Sequence, residues 1–367
     1  MIKGAMTNVQ GVAIVVLFMI GSAVVLSPGG AAKQDVWITI LLSMLMAVPF
    51  VFIYARILQL FPEKDLFEIL RELYGNIISK IIALLFIWYA FHLGALVLRN
   101  FSEFITTVSL PETPQPVIIV SIGIICIWLV KCGKEIMGQW TGMLFPLLLV
   151  AIITQVVLSM TQADFDNLKP VMYNGIQPLI GSAFAAFSFL FAETVILTMI
   201  FSWIKNRFNT YKVYYLGLFV GGIILLLAAV RNILVLGAED ASLEYFPSYE
   251  AVSVVNIANF FQRIEVIVTI IFMLTGIVKI SACLFAASKG LAFVLNFKNY
   301  KAIVVPVGLL MMNLACIVYK NTMEMFEWAL NIYMYYAIPF QIILPLLIWI
   351  FAEIKSRGAK KKEISTI

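Results

Sequence analysis

The first apolar segment of the chain ends in the sequence Ile-Gly-Ser-Ala-Val-Val-Leu-Ser-Pro-Gly-Gly, residues 20–30. A helix inside lipid must satisfy every backbone group, so such an interruption survives only against protein or a water-filled cavity. The sixth apolar segment carries a second interruption, in which Gly181-Ser182 precede the run Phe-Ser-Phe-Leu-Phe-Ala-Glu at 187–193. Interruptions at corresponding places in two halves of a chain predict a transporter-type binding site between inverted repeats.

The composition places these segments in a membrane. Hydrophobic residues make up 62% of the 367 residues and charged residues only 12%, whereas soluble domains have roughly 45–50% and about 25%. A net charge of +5 is spread over this apolar chain and does not form the basic patch that nucleic-acid binding requires. The composition excludes a soluble, disordered or nucleic-acid-binding protein and indicates a polytopic membrane protein.

Ten apolar segments are long enough to cross a bilayer, which needs roughly 20 residues per helix. They are residues 11–27, 36–60, 76–108, 116–131, 139–160, 177–203, 212–237, 256–286, 302–319 and 334–354. We predict an all-α membrane protein of ten transmembrane helices, arranged as a five-plus-five inverted repeat whose first and sixth helices are interrupted. One membrane domain then covers residues 1–367, with the first repeat at 1–160, the second at 161–354 and a basic tail at 355–367.

The positions of Lys and Arg predict that both termini face the cytoplasm. In that orientation 18 of the 25 basic residues lie inside and six lie outside, while Lys279 falls within a span. The basic tail at 360–362 could bind anionic membrane lipid, although such a tail is more often the anchor of the last helix.

Other chemistries have little support in the sequence. There is one histidine, His92, and the four cysteines are scattered singly, so neither a metal site nor a disulfide framework is expected. No GxSxG, HExxH or Walker motif is present. We therefore expect no enzymatic activity and no cofactor.

Residues 20–28 resemble, in register, the first-helix signature I-G-S-G-I-F-x-S-P of the amino acid/polyamine/organocation transporters, whose known members have the LeuT-like fold. The run from Ser188 to Glu193 is similar to their sixth-helix motif. Ala23 and Phe191 stand where that superfamily usually has glycine. Both larger residues would crowd the cavity, so we expect a small pocket.

A narrower resemblance covers nearly the whole chain. In order and spacing, six groups of residues are similar to the B subunit of bacterial spore germinant receptors, the endospore germination permease branch of that superfamily. They are Gln10-Gly11; Asp35-Val36-Trp37-Ile38-Thr39; Leu66-Phe67-Glu68 with Tyr74-Gly75; Arg99-x-x-x-Glu103 with Leu110-Pro111-Glu112-Thr113-Pro114; Asn167-Leu168-Lys169-Pro170-Val171; and Phe261-Gln262-Arg263-Ile264-Glu265. The resemblance implies a subunit of the spore inner membrane that senses a small nutrient, usually an amino acid, with A and C partner subunits.

The predicted ligand-binding residues come from four spans. In a broken first helix, free backbone N–H groups of Gly21, Ser22 and Ala23 would face a carboxylate; the alternative is a small-residue stripe for close helix packing. The opposing wall would comprise Phe187, Ser188, Phe189, Leu190 and Phe191 of the sixth span. His92 and Leu93 of the third span, and Lys279 and Cys283 of the eighth, complete the set. A lone histidine in a span is more often a packing residue than a proton carrier.

Glu193 and Lys279 are the two charges best placed inside spans, where charge is costly and functional by default. Glu193 and Lys279 could pair, or the Lys279 ammonium could occupy the place of a coupling cation, and we expect no sodium requirement in either case. Lys279 could instead extend toward the cytoplasm, and Glu193 could serve either a structural hydrogen bond or proton coupling.

Four further charged residues are expected to be structural or gating groups. Arg99 and Glu103 are i,i+4 neighbours that can form a pair on one helix face. Arg263 and Glu265 are two positions apart and point to different sides.

Three functions remain open. The leading hypothesis is a germinant-sensing subunit that binds a small amino acid or similar nutrient in a mid-membrane pocket and triggers germination with its partner subunits. The alternative is a proton-coupled amino acid permease. The third is a membrane scaffold whose pocket is vestigial.

Overall fold

The computed structural model describes residues 6–23, 30–173, 175–202, 207–254 and 265–365. Within those ranges every regular element is helical, and each of the ten predicted spans coincides with a helix. The helices are α1 (Asn8–Ala23), α2 (Val36–Leu60), α3 (Leu66–Phe104), α4 (Gln115–Cys132), α5 (Lys134–Ser159), α6 (Ile176–Ala186), α7 (Arg207–Leu236), α8 (Ala238–Leu243), α9 (Pro247–Ser253), α10 (Glu265–Leu295), α11 (Val304–Ile317), α12 (Thr322–Glu327), α13 (Tyr333–Ile338) and α14 (Leu344–Ser365).

Length and composition make most of these elements membrane helices. In the described residues, eight helices are long and apolar enough to cross a bilayer, and two shorter apolar helices cover Asn8–Gly21 and Val304–Ile317. The protein is therefore a polytopic, all-helical membrane protein. The short α8 and α9 connect spans seven and eight.

The third span shows how local sequence sets a helix boundary. α3 begins ten residues before the predicted start at residue 76, because Asp65 accepts hydrogen bonds from the N–H groups of Phe67 and Glu68. The Glu68 carboxylate accepts in return from the Asp65 N–H, which completes a capping box. The predicted start at residue 76 follows a kink within α3. The kink lies at Gly75, whose φ of 74° is a value that glycine tolerates best.

The interruption in the sixth span is a change of helical pitch. α6 passes into a π-helical turn at Phe187–Phe191 and then a 3₁₀ helix at Ala192–Met199. Of the interruption predicted in the first span at residues 20–30, residues 20–23 continue α1 as a helix, and residues 24–29 lie outside the described residues.

Two boundaries differ from the prediction at the ends of helices. α10 continues to Leu295, beyond the predicted end at residue 286. The tenth span runs from α12 through two π-helical turns to Ser365, so the helix continues into the predicted basic tail.

Three segments form the centre of the bundle. All side chains are buried in the runs 13–20 of α1, 186–201 of the sixth span and 275–288 of α10. A helix that is buried on every side must be surrounded by others, and α10 packs against α1, α3, α4 and α5. The functional charges predicted at Glu193 and Lys279 therefore lie on the central helices.

Ion pairs connect helices at both ends of the bundle. The terminal end, where the described chain begins and ends, has Arg56 Nε 2.5 Å from Glu353 Oε1 and Lys289 paired with the buried Asp65. The opposite end has Lys33 Nζ 2.7 Å from Glu239 Oε1.

Candidate functional site

The structure pairs the two intramembrane charges. Lys279 Nζ donates a hydrogen bond to Glu193 Oε2, and neither side chain has any exposed surface. The ammonium also lies 4.9 Å from the ring centre of Phe18 and 5.9 Å from that of Phe189. Because an unpaired charge at this depth costs several kcal/mol, each of the two charges offsets the burial of the other.

A chain of hydrogen bonds leads from this pair into the tenth span. The Tyr333 hydroxyl donates to Glu193 Oε1 at 2.6 Å, and the hydroxyls of Tyr89 and Tyr333 are 2.9 Å apart. Gln341 Nε2 donates to the Tyr89 hydroxyl at 2.8 Å. Because the Tyr333 hydroxyl donates to the carboxylate, its oxygen accepts from the Tyr89 hydroxyl, which in turn accepts from Gln341. All three hydrogen bonds therefore point toward Glu193 and polarise one another.

Gln341 also stabilises the interruption in the sixth span. Its Nε2 donates to the Ser188 carbonyl at 2.8 Å, and its Oε1 accepts from Ser188 Oγ at 2.9 Å. The Gln341 carbonyl accepts from the Tyr54 hydroxyl at 2.6 Å. The π-helical turn is thus held by side chains from the tenth span.

A small cavity adjoins Glu193; we call it the central cavity. Its lining residues come from α3, the sixth span, the loop after α11 and the tenth span: Leu93, Leu96, Val97, Asn100, Phe189, Glu193, Tyr319, Trp328, Ala329 and Tyr333.

Two residues that line the central cavity each carry a buried polar atom without a hydrogen-bond partner among the described residues. Asn100 Oδ1 is a buried acceptor and Trp328 Nε1 is a buried donor, and both are unsatisfied. Buried polar groups are nearly always hydrogen-bonded. An unpaired donor and acceptor in one cavity, beside a carboxylate, fit a small ligand that carries both kinds of group.

The predicted binding residues are distributed around this region. Leu93 and Phe189 line the central cavity, whereas Leu190 lines a different cavity between α2 and α7. Phe187, Ser188, Phe191 and Cys283 are fully buried next to the site and line neither of these two cavities. Ser22 and Ala23 lie in α1, and their side chains are outside the described part of the structure.

Gly21 lies within a helix that packs closely on α10. A Cβ at this position would be 2.9 Å from the Thr275 carbonyl oxygen and 3.1 Å from Lys279 Cβ. This is the close approach of backbones that small residues permit in membranes. Gly21 therefore brings α1 against the part of α10 that carries Lys279.

His92 belongs to an aromatic cluster beside the site. Its Nδ1 lies 3.0 Å from the Tyr336 hydroxyl, and its ring stacks on Trp88 with centroids 5.3 Å apart. The packing alternative for this histidine fits these contacts.

Arg99 and Glu103 form a partly buried pair at the opposite end. Arg99 Nε is 3.3 Å from Glu103 Oε2, and Nη1 donates to the Cys316 carbonyl at 3.3 Å. Glu103 also accepts from Gln115 Nε2 at 2.6 Å and from the Thr322 hydroxyl. The pair thus connects α3 with α4, α11 and α12, next to Asn100. Glu265 opens α10, and Arg263 lies outside the described residues.

Sequence reasoning did not find five polar residues of the site: Tyr89, Asn100, Trp328, Tyr333 and Gln341. The signal for two of them is an amide within an otherwise apolar span, since Asn100 and Gln341 require buried partners. The tyrosines and the tryptophan have no comparable signal, because aromatic residues are common throughout this chain.

Two solved structures define the class of fold. A closed conformation of Mhp1, a nucleobase-cation-symport-1 family transporter with bromovinylhydantoin bound, matches with a TM-score of 0.69 at 15% identity and covers 89% of this chain and 75% of that chain. MhsT in complex with L-phenylalanine matches with a TM-score of 0.68 at 12% identity and covers 94% of this chain and 88% of that chain. The protein has the LeuT-like fold of these structures, as predicted.

Sequence comparison then identifies the family. The family model described as "Spore germination protein" matches residues 5–325, and the chain belongs to this family of spore permeases. It is 27% identical to spore germination protein KB of Bacillus subtilis (strain 168) over 95% of both chains. It is also 27% identical to the putative spore germination protein YfkT of the same organism, over 90% of this chain and 91% of that protein.

These comparisons confirm the resemblance found in the sequence. The relatives are named as germination proteins and one structural neighbour as a transporter, which fits a permease-like membrane protein and not an enzyme.

Proposed function

We propose that this chain is the germinant-sensing subunit of a spore nutrient receptor and binds a small amino acid in the central cavity. The observation that carries the proposal is the unpaired acceptor of Asn100 and the unpaired donor of Trp328, two residues that line a small cavity together with Glu193. The family membership and the transporter fold support the same function.

The cavity matches the chemistry of a small α-amino acid. An ammonium group can donate to Asn100 Oδ1 and to Glu193, and a carboxylate can accept from Trp328 Nε1. A short apolar side chain then lies against Leu96 and Val97. The small size of the cavity favours a ligand with a short side chain, such as alanine.

Ligand binding can be linked to a conformational change through Glu193. A ligand ammonium near this carboxylate competes with Lys279 for the same oxygens, and Glu193 directly follows the π-helical turn. A ligand shifts an equilibrium only as far as its affinities for the two states differ. We propose that the ligand-bound state has a rearranged Glu193–Lys279 pair and sixth span, which partner subunits detect.

The partners and the location follow from the family resemblance. We propose A and C germinant receptor subunits as partners, the spore inner membrane as the location, and a cytoplasmic position for both termini. The excess of basic residues on one side of the predicted topology supports this orientation.

Dipicolinate release from spores tests the proposal. Spores that lack the gene are compared with wild type over a panel of amino acids, sugars and nucleosides, and we expect loss of response to one nutrient class. An unchanged response with the gene expressed would contradict a non-redundant receptor role.

Variants then test the cavity itself. Asn100→Leu removes the unpaired acceptor at similar size, and we expect the half-maximal nutrient concentration to rise about tenfold or more, the equivalent of one lost hydrogen bond of about 1.4 kcal/mol. Asn331→Leu makes the same change at an exposed position and is expected to have no effect. Equal responses of the two variants would exclude Asn100 from the binding site.

A proton-coupled permease is the second candidate, because the structural neighbours include a transporter. Counterflow of the same amino acid in proteoliposomes separates the two functions. Exchange at permease rates would contradict a receptor that does not transport.

A further inference from the structure

A buried arginine in α7 has no counter-ion among the described side chains. Arg231 is 1% exposed. Its Nε donates to Asn232 Oδ1 at 2.9 Å and its Nη2 to the Ser248 carbonyl at 3.4 Å, but its Nη1 has no partner in the described part of the structure. No carboxylate among the described side chains forms an ion pair with it.

Such an arrangement is costly unless an anion is supplied. Arg stays charged in proteins, and a buried charge without a partner destabilises a fold by several kcal/mol. Arg231 is also near the end of the bundle that is predicted to face outward, where positive charge is not needed for topology. A counter-ion from outside the chain would offset this cost.

The groups that hold the guanidinium form part of a cavity wall. Asn232 and Ser248 line a cavity between α2, α7, α8 and α9, which we call the lateral cavity, and Arg231 lies behind these two residues without lining it. Lys33 also lines it and is already paired with Glu239. The other walls are mostly apolar and include Ile40, Leu190 and Ile233.

We propose that the lateral cavity binds a small organic carboxylate with an apolar body. The carboxylate lies between Asn232 and Ser248 and replaces the long contact from Arg231 Nη2 to the Ser248 carbonyl. Guanidinium and carboxylate match in a two-bond geometry that also uses Nη1.

The apolar body of this ligand would contact the sixth span. Leu190 is in the π-helical turn and lines the lateral cavity, while its neighbour Phe189 lines the central cavity. A ligand at Arg231 is therefore placed to influence the same turn from its other side. The proposal does not depend on what occupies the central cavity.

Thermal unfolding of the purified full-length protein in phosphatidylcholine nanodiscs provides the test. The probe is hexanoate, and hexanamide at equal concentration is the uncharged control. We expect hexanoate, and not hexanamide, to raise the unfolding temperature in a saturable way, because a ligand stabilises the state that binds it. No response of the wild type to hexanoate would overturn the proposal.

Two variants locate the response. Arg231→Met is expected to abolish it and, without ligand, to unfold at a temperature no lower than wild type, since it removes an unpaired buried charge. Arg71→Met, the same change at an exposed residue of the terminal end, is expected to respond like wild type. An Arg231→Met protein that still responds to hexanoate would contradict the proposal.

A further variant and a lipid control complete the experiment. Ala228→Phe fills the lateral cavity without altering Arg231 and is expected to abolish the response even if Arg231→Met fails to fold. Nanodiscs with phosphatidylglycerol test a lipid headgroup as the anion. Stabilisation by this lipid that depends on Arg231, without any effect of hexanoate, would overturn the carboxylate proposal.

Discussion

At the scale of single residues, the site depends on the pairing of two charges that the sequence marks clearly. Glu193 and Lys279 stand out because charged residues are rare in apolar spans. The sequence left open only whether the two charges pair with each other. Asn100 and Gln341 are uncharged, so the same argument did not select them. Their importance follows from contacts between residues far apart in sequence, such as Gln341 with Ser188.

Removal of one partner of the buried pair should destabilise the protein strongly. Glu193→Gln leaves the Lys279 ammonium without its counter-ion, and we expect a loss of about 3–5 kcal/mol in unfolding free energy. The double variant Glu193→Gln, Lys279→Met removes both charges and is expected to recover most of the loss. Unfolding in mixed detergent measures these differences.

The exposed Glu112 provides the matched control. Glu112→Gln is expected to change the unfolding free energy by less than about 0.5 kcal/mol. A double variant as unstable as Glu193→Gln alone would show that the pair is not the source of the effect.

At the scale of helices, the sequence predicted every span but not every boundary. The start of α3 was placed ten residues late because hydropathy does not detect the capping box at Asp65. The interruption of the sixth span was predicted from Gly181 and Ser182, yet the change of pitch begins at Phe187. It depends on hydrogen bonds from Gln341 on another helix, which the local sequence does not reveal.

Contact between α1 and α10 is sensitive to a single methyl group at Gly21. In Gly21→Ala the new Cβ lies too close to the Thr275 carbonyl oxygen, so one helix must move, and we expect a loss of about 1–3 kcal/mol. The effect on unfolding is measured in detergent, together with the nutrient response of spores.

Gly181→Ala is the matched helical control, because no atom lies within 4 Å of its added Cβ. We expect it to be neutral or to stabilise by up to about 1 kcal/mol, since alanine is the better helix former. Similar losses in the two variants would contradict the packing role of Gly21.

At the scale of the whole molecule, family and fold agree with the composition, while the orientation in the membrane remains a prediction. The cysteines offer a test, because Cys126 and Cys283 are buried and Cys132 is exposed at the terminal end. In a Cys316→Ala background, we expect a membrane-impermeant maleimide to label Cys132 in inside-out vesicles and not in right-side-out vesicles. Mass spectrometry identifies the labelled residue.

A cysteine at the opposite end serves as the reverse control. Asp240 is exposed, and Asp240→Cys in a background with Cys132 and Cys316 replaced by alanine should be labelled only from the outside. Labelling of Cys132 in right-side-out vesicles would show that the orientation is inverted.

The measurement that tests the central claim most directly is equilibrium binding to the purified protein in nanodiscs, with the nutrient that the deletion panel identifies. Ala329 lines the central cavity, and Ala329→Leu fills it. Ala185→Leu adds the same atoms in a wide groove of about 1210 Å³ at the opposite end. We expect saturable binding to wild type and to Ala185→Leu, and binding at least about tenfold weaker to Ala329→Leu. Absence of binding to wild type, or equal affinity of the two variants, would contradict a nutrient site in the central cavity.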